Sequence, residues 1–226
     1  MSIADNLRRV NEQIDDACAR AGRDPSDVQL IAVSKTFPVE AIAEAAAAGQ
    51  RHFGENRVQE GLAKLDQLPR LGVEAEIHLI GHLQRNKARF AGRFATVQSV
   101  DSVRLAQAVS SRLESDLTVM LEVNVAEEPS KHGFKLEEVK DALASTQLLS
   151  HLRVVGLMTV APEVEDPEEV RPVFRKLRAL AEELTLPELS MGMSNDYAVA
   201  IEEGSTMVRI GRAIFGQRET HAGGPA

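Results

Sequence analysis

The sequence predicts a single (β/α)8 TIM barrel with an extra N-terminal helix. Apolar runs of strand length alternate with longer stretches of helical period, the pattern of a parallel sheet covered by helices. The alternation repeats through eight strand–helix units, whereas an open doubly wound sheet usually stops at about five or six strands. A chain of 226 residues suits one such barrel as a single domain. The domain is expected to span residues 1–216, and the Gly- and Pro-containing stretch 217–226 to form a frayed tail. No linker and no second domain are expected.

The elements follow in order. An opening helix runs from Ile3 to Ala21 and stops at Gly22. The first strand is Gln29 to Lys35; Pro38 then opens a helix through Ala48, closed by Gly49. The second strand is His52 to Asn56, followed by a helix from Arg57 to Leu68. The third is Glu76 to Gly81, with a basic helix from Gln84 to Ala91. The fourth is Thr96 to Val100; Asp101 or Ser102 caps the next helix, since a short side-chain oxygen can accept first-turn amides. The fifth is Thr118 to Val125, with its helix at Leu136 to Leu149. The sixth is Leu152 to Val160, with a helix from Pro167 to Leu184. The seventh is Glu188 to Gly192, with a helix starting near Ser194; the eighth, Met207 to Gly211, leads into Ala213 to Gly216. Several strands are apolar on both faces, as expected where one face lines the barrel and the other meets helices.

Composition narrows the function. Aromatic residues are only 4% against 43% hydrophobic, so the core must be aliphatic. A net charge of −8 argues against a nucleic-acid surface and leaves any phosphate to be held by local donors. The basic segment Arg85 to Arg93 then reads as a solvated helix face, with only Phe90 and Phe94 as aromatic company. Cys18 is the sole cysteine, which excludes an internal disulfide and a Cys-based metal site. The opening MSIADNLRRVNEQ is a polar amphipathic helix, not a secretion signal. No apolar stretch approaches the length that spans a bilayer. A cytoplasmic location without membrane contact is expected.

In a barrel of this type chemistry gathers where strands end and helices begin. Lys35 ends the run Leu30-Ile-Ala-Val-Ser-Lys. Desolvation there lowers an ammonium pKa, and a neutral amine can condense with an aldehyde; a lysine that snorkels to solvent is the competing reading. Leu189-Ser-Met-Gly-Met-Ser-Asn-Asp196 places Ser194 and nearby amides after strand seven, where they can face a phosphate or simply cap a helix. Gly211, after strand eight, lets backbone come close to an anion, and barrels often bind phosphate at these two loops. Arg209 lies inside strand eight. Facing inward it is a buried cation that needs an acceptor, such as a ligand ring nitrogen; facing outward it pairs with a helix carboxylate. Asn56 and Gly81-His-Leu-Gln84 can line the mouth. His78 and His82 lack a carboxylate at ligand-like spacing, so no metal is expected, and Met158 reads as barrel packing.

The motifs AVSKTFP, FGENRVQE, HLIGHLQRNK, EVNVAEEPSKHGF, GLMTVAP, SMGMSND and GSTMVRIGRAIFG together resemble the pyridoxal phosphate homeostasis protein family, related to the alanine racemase N-terminal barrel domain. The resemblance runs from about Leu30 to Gly216. It implies one barrel that binds pyridoxal 5′-phosphate (PLP), with Lys35 as the Schiff-base lysine. Ser194, Gly211 and the Arg212 amide would hold the phosphate, Arg209 would face the pyridine nitrogen, and Asn56 would line the ring pocket. Two departures stand out: Ile77 where many relatives carry an aromatic, and Arg212 where Thr or Ser is common, which leaves the phosphate contact there to the Arg212 backbone or charge.

The resemblance implies a carrier or regulator of PLP without established turnover, expected as a monomer with apo PLP enzymes as possible recipients. The residues agree with that. PLP drives carbanion chemistry best when a carboxylate protonates its ring nitrogen, and an arginine there weakens the electron sink. The sole tyrosine, Tyr197, is expected on the helix after strand seven, and no second domain covers the mouth. The alternatives are a weak PLP-dependent amino-acid racemase and a cofactor-free Schiff-base aldolase.

Overall fold

The computed structural model describes residues 2–129 and 131–216; the expected tail, 217–226, lies outside the described residues. Eight parallel strands pair in chain order and close into a barrel: β1 (Gln29–Val33), β2 (His52–Glu55), β3 (Glu76–Leu79), β4 (Thr96–Val100), β5 (Leu117–Glu122), β6 (Leu152–Met158), β7 (Glu188–Ser190) and β8 (Met207–Ile210). Closure rests on four consecutive β1–β8 partners, Gln29↔Met207 through Ala32↔Ile210.

Helices cover the outside of the barrel: α1 (Ile3–Ala21), α2 (Val39–Ala47), α3 (Val58–Gln67), α4 (Val103–Ser110), α5 (Val139–Gln147), α6 (Arg171–Glu183), α7 (Tyr197–Glu202) and α8 (Arg212–Phe215). The extra helix α1 forms because Leu7, Val10, Ile14, Ala17 and Cys18 recur at helical spacing and are all buried. Ser2 caps its start by accepting the Asp5 amide, and Gly22, with φ of 66°, takes the left-handed conformation that ends it. Asn6 Nδ2 donates to the Ile214 carbonyl at 2.8 Å, which seats α1 against α8.

Strand ends and one helix differ from the sequence expectation. β1 stops at Val33 rather than Lys35 because Thr36 adopts φ of 69° and the chain turns there. The basic helix expected from Gln84 to Ala91 is of the 3-10 type and runs from Arg85 to Arg93. Its buried residues Ala88, Ala91 and, just beyond, Phe94 recur every three positions, the period of a 3-10 helix. Its charges face outward: Arg93 pairs with Asp66 at 2.7 Å and Lys87 donates to Gln59 at 2.9 Å. Of the two candidate caps for α4, Ser102 accepts the Leu105 amide. Among the described residues no helix is long and apolar enough to cross a membrane.

The barrel interior is partly polar. Gln98 of β4 accepts a hydrogen bond from Ser190 of β7 at 2.7 Å, and its amide lies 3.6 Å from the Met207 sulfur of β8. These contacts join strands that are not neighbours, so they cross the lumen. Gly156 lets β6 lie hard against β7: a Cβ there would sit 2.0 Å from the Glu188 carbonyl oxygen. Gly156→Ala is therefore expected to destabilise the barrel by about 1–3 kcal/mol, the range for overpacking a tight site. A thermal melt followed by circular dichroism should show Tm lowered by several degrees; an unchanged Tm would mean the strands part without penalty.

Candidate functional site

Lys35 sits in the turn after β1, half-buried at the carboxyl-end rim. Its neighbours on both sides are held by one ionic cluster behind the sheet. Ser34 donates its hydroxyl to Glu55 at 2.6 Å, and its carbonyl accepts from Lys64 Nζ at 2.8 Å. Lys64 also pairs with Glu55 at 2.6 Å and Glu60 at 2.9 Å, and Glu60 accepts the Thr36 amide. Glu55 is fully buried. Burial pushes its carboxyl up, against the pull of Lys64 and Ser34. Glu60, at the edge of the cluster, is held down by Lys64 and the Thr36 amide despite its own desolvation. Sequence reasoning missed this cluster, although Val58, Gly61 and Lys64 share the buried stripe of α3. A lysine on an apolar stripe is a signal that a buried partner exists.

Arg209 points into the barrel. It is 4% exposed and donates to Ser190 Oγ at 2.6 Å and to the Thr159 carbonyl at 2.7 Å. Between the two orientations left open by alternation along β8, the inward one is therefore observed. Burial lowers its pKa to about 10, opposed by the fields of Asp196 and Glu122. Among the described residues no carboxylate lies within ion-pair distance of it, so both recorded acceptors are neutral.

The two expected anion loops lie at the same rim. After β7 the chain turns through Gly192, with φ of 93°; a Cβ there would come within 2.6 Å of the Ala200 side chain. Asp196 is the N-cap residue and α7 starts at Tyr197, so Ser194 lies in the preceding turn and not at the helix start expected from sequence. Met193 O accepts the amides of both Asp196 and Tyr197, and Asp196 accepts the Met193 amide. The amides of Ser194 and Asn195 are the ones this turn leaves for an anion. After β8, the Gly211 carbonyl accepts the Ile214 and Phe215 amides, leaving those of Arg212 and Ala213. Gly211 has an ordinary negative φ. Its Cβ would lie 3.0 Å from the Val33 carbonyl, so a close approach to β1 is what requires glycine. The Arg212 side chain is exposed, whereas Asn56 and Ser194 are half-buried.

Asn56 follows β2, and the Gly81 backbone presses against it: a Cβ on Gly81 would lie 2.3 Å from the Asn56 carbonyl. Glu122, at the end of β5, is a rim residue the sequence reading did not single out. Burial and the nearby Asp101 push its carboxyl up to about 7, against Arg209. Tyr197 is buried on the outer side, where its hydroxyl donates to Gln13 of α1. Of the two histidines expected to lack a carboxylate at ligand-like spacing, His82 lies 2.9 Å from Asp101 in the fold. His78 meets His52, which in turn lies 3.4 Å from Glu76.

Comparisons with known proteins agree with this architecture. The family described as "Alanine racemase, N-terminal domain" matches residues 5–219. A pyridoxal phosphate homeostasis protein of Aquifex aeolicus is 44% identical over 97% of this chain and 100% of its own. The Escherichia coli K12 protein of that name is 43% identical over 96% of this chain and 97% of its own. PipY of Synechococcus elongatus PCC7942, solved with PLP bound, superposes with a TM-score of 0.81 at 38% identity, over 95% of this chain and all of PipY, 100%. The alanine racemase of Corynebacterium glutamicum, with a TM-score of 0.70 at 20% identity over 97% of this chain and 62% of the racemase, shares the fold. With a closed barrel, an inward arginine in β8 and these matches along nearly its whole length, the chain belongs to the pyridoxal phosphate homeostasis protein family, built on the alanine racemase N-terminal barrel.

Proposed function

We propose that this protein binds PLP through a Schiff base on Lys35 and serves as a carrier or regulator of the cofactor, without catalytic turnover of its own. The observation that carries the reading is Arg209, a buried guanidinium in the barrel lumen with only neutral acceptors. A neutral pyridine nitrogen is an acceptor of the kind such a cation can use. Bound PLP would supply an aldehyde that condenses reversibly with amines and a ring that withdraws electrons.

The chain's own groups suit that ligand. The turn amides of Ser194, Asn195, Arg212 and Ala213, with the Ser194 hydroxyl, form a donor set for a phosphate that does not depend on net charge. Lys35 lies on the same rim because β1 and β8 pair directly. The cluster of Glu55, Lys64 and Glu60 holds Ser34 and Thr36 and so orients the Lys35 backbone. Asn56 would line the ring pocket. Arg209 would keep a ring nitrogen placed against it unprotonated, which would disfavour carbanion chemistry. The Tyr197 hydroxyl is bonded to Gln13 and so does not serve the mouth as a base. On this reading the monomer delivers PLP to apo enzymes by exchanging the Lys35 amine for another.

Lys35→Ala should fold normally by circular dichroism yet retain no covalently bound PLP after gel filtration; cofactor still fixed by borohydride in that variant would assign the link to another lysine. Ser194→Ala should weaken PLP binding by about 1–2 kcal/mol, the scale of one charge-assisted hydrogen bond, or about 5–30-fold in Kd. An unchanged Kd would remove Ser194 from the phosphate site.

Glu122 favours weak racemase activity as a second reading, because a carboxyl with a pKa near 7 can act as a base close to neutral pH. That activity would appear as solvent deuterium entering the α-carbon of an amino acid, rising as pH passes through about 7 while the carboxylate forms, and lost in Glu122→Gln. Exchange that persists in Glu122→Gln would exclude this carboxyl as the base.

A further inference from the structure

A second cluster of ligating side chains lies at the opposite end of the barrel. His52 and Glu76 begin β2 and β3 and are register partners; His78 follows two residues later on β3. His52 Nδ1 lies 3.2 Å from His78 Nε2 and 3.4 Å from Glu76 Oε2, and all three ligand atoms lie within 4.8 Å of one another. A tetrahedral ion with bonds of about 2.0–2.2 Å places its ligand atoms about 3.3–3.6 Å apart, close to the two measured edges.

A hydrogen bond explains only part of this arrangement. His52 Nδ1 has a single in-plane lobe, which one proton can direct at one acceptor. Here two heteroatoms from a neighbouring strand approach that nitrogen together. A cation placed between the three atoms accounts for both contacts. The other ring nitrogen, His52 Nε2, lies 2.9 Å from the Gln29 amide. Turned about its last bond, that amide offers an oxygen to the Nε2–H, the outer contact that ordinarily orients a ligating histidine. His78 is 3% exposed, while Glu76 is solvent-facing. The partly exposed side chain of His52 and the exposed one of Glu76 leave the cluster open to an ion and a coordinated water from solvent.

We propose that His52, His78 and Glu76 form a site for a divalent transition-metal ion of zinc type, with water as fourth ligand, joining the amino-terminal ends of β2 and β3. The other cluster, His82, Asp101 and His132, is arranged differently: its two imidazoles stack at 4.1 Å and 13°, and His132 Nδ1 is 3.9 Å from Asp101. Parallel stacked rings direct their nitrogens alongside rather than toward one another, so this cluster serves as the control.

The test is a zinc titration of the full untagged chain, stripped with chelator and dialysed, in competition with a chromogenic chelator. One equivalent of Zn2+ should bind with micromolar or tighter Kd. His52→Asn and Glu76→Gln, both at accessible positions, should each weaken binding at least tenfold, Gln29→Ala by about 10–100-fold, and His132→Asn not at all. Zinc should also raise Tm in the parent chain and not in His52→Asn. Failure to bind an equivalent at tens of micromolar, parent-like affinity in His52→Asn, or loss in His132→Asn alone would each overturn the proposal.

Discussion

The direct pairing of β1 with β8 is the constraint on which the rest depends. Four consecutive partners close the barrel, and in closing it they set Ile31 opposite Arg209 and bring the turn that carries Lys35 beside the turn that follows Gly211. Neither turn alone makes a site. On the proposed reading, the Lys35 amine at one strand end and the turn amides at another can serve one ligand only because the first and last strands are neighbours. Gly211 marks the tightness of that junction, because a side chain there would press on the Val33 carbonyl.

The second constraint is electrostatic. Glu55 and Lys64 are both buried and joined at 2.6 Å, and they tie α3 to the Ser34 carbonyl and hydroxyl. Removing one partner of such a pair strands a buried charge and costs about 3–5 kcal/mol, so the pair is a clamp that tolerates little change. It acts on the residues flanking Lys35. Thr36, held at positive φ with its amide on Glu60, completes the turn. Lys35 thus stands on backbone that is fixed from behind the sheet.

Much of the fold was legible because its signals are local. The helical period of α1 and the stop at Gly22 mark its extent directly, and Thr96 to Val100 reads as a strand from its own residues. Lys35 stood out because a charged residue ends an apolar run. Arg209 was visible but its direction was not: period two leaves the face undecided until the fold shows its guanidinium buried and bonded to Ser190 of the neighbouring strand and to the Thr159 carbonyl. Glu55 and Lys64 are nine residues apart, and the Glu122 carboxyl is perturbed first by burial and then by Asp101 and Arg209, which come from elsewhere in the chain. His52 and His78 meet across a strand pair. Those contacts are products of register, and no spacing along the chain announces them. The basic segment reads as a helix from its residues, and the burial of Ala88, Ala91 and Phe94 every three positions is what makes it a 3-10 helix.

The central claim concerns which amine receives the aldehyde. The most direct measurement is an absorption spectrum of the purified protein, followed by borohydride reduction and peptide mapping by mass spectrometry. The account predicts an absorption band from protein-bound PLP that is lost on reduction, and one phosphopyridoxyl group on the peptide containing Lys35. A chain that takes up no PLP, or a label on another lysine, would contradict it.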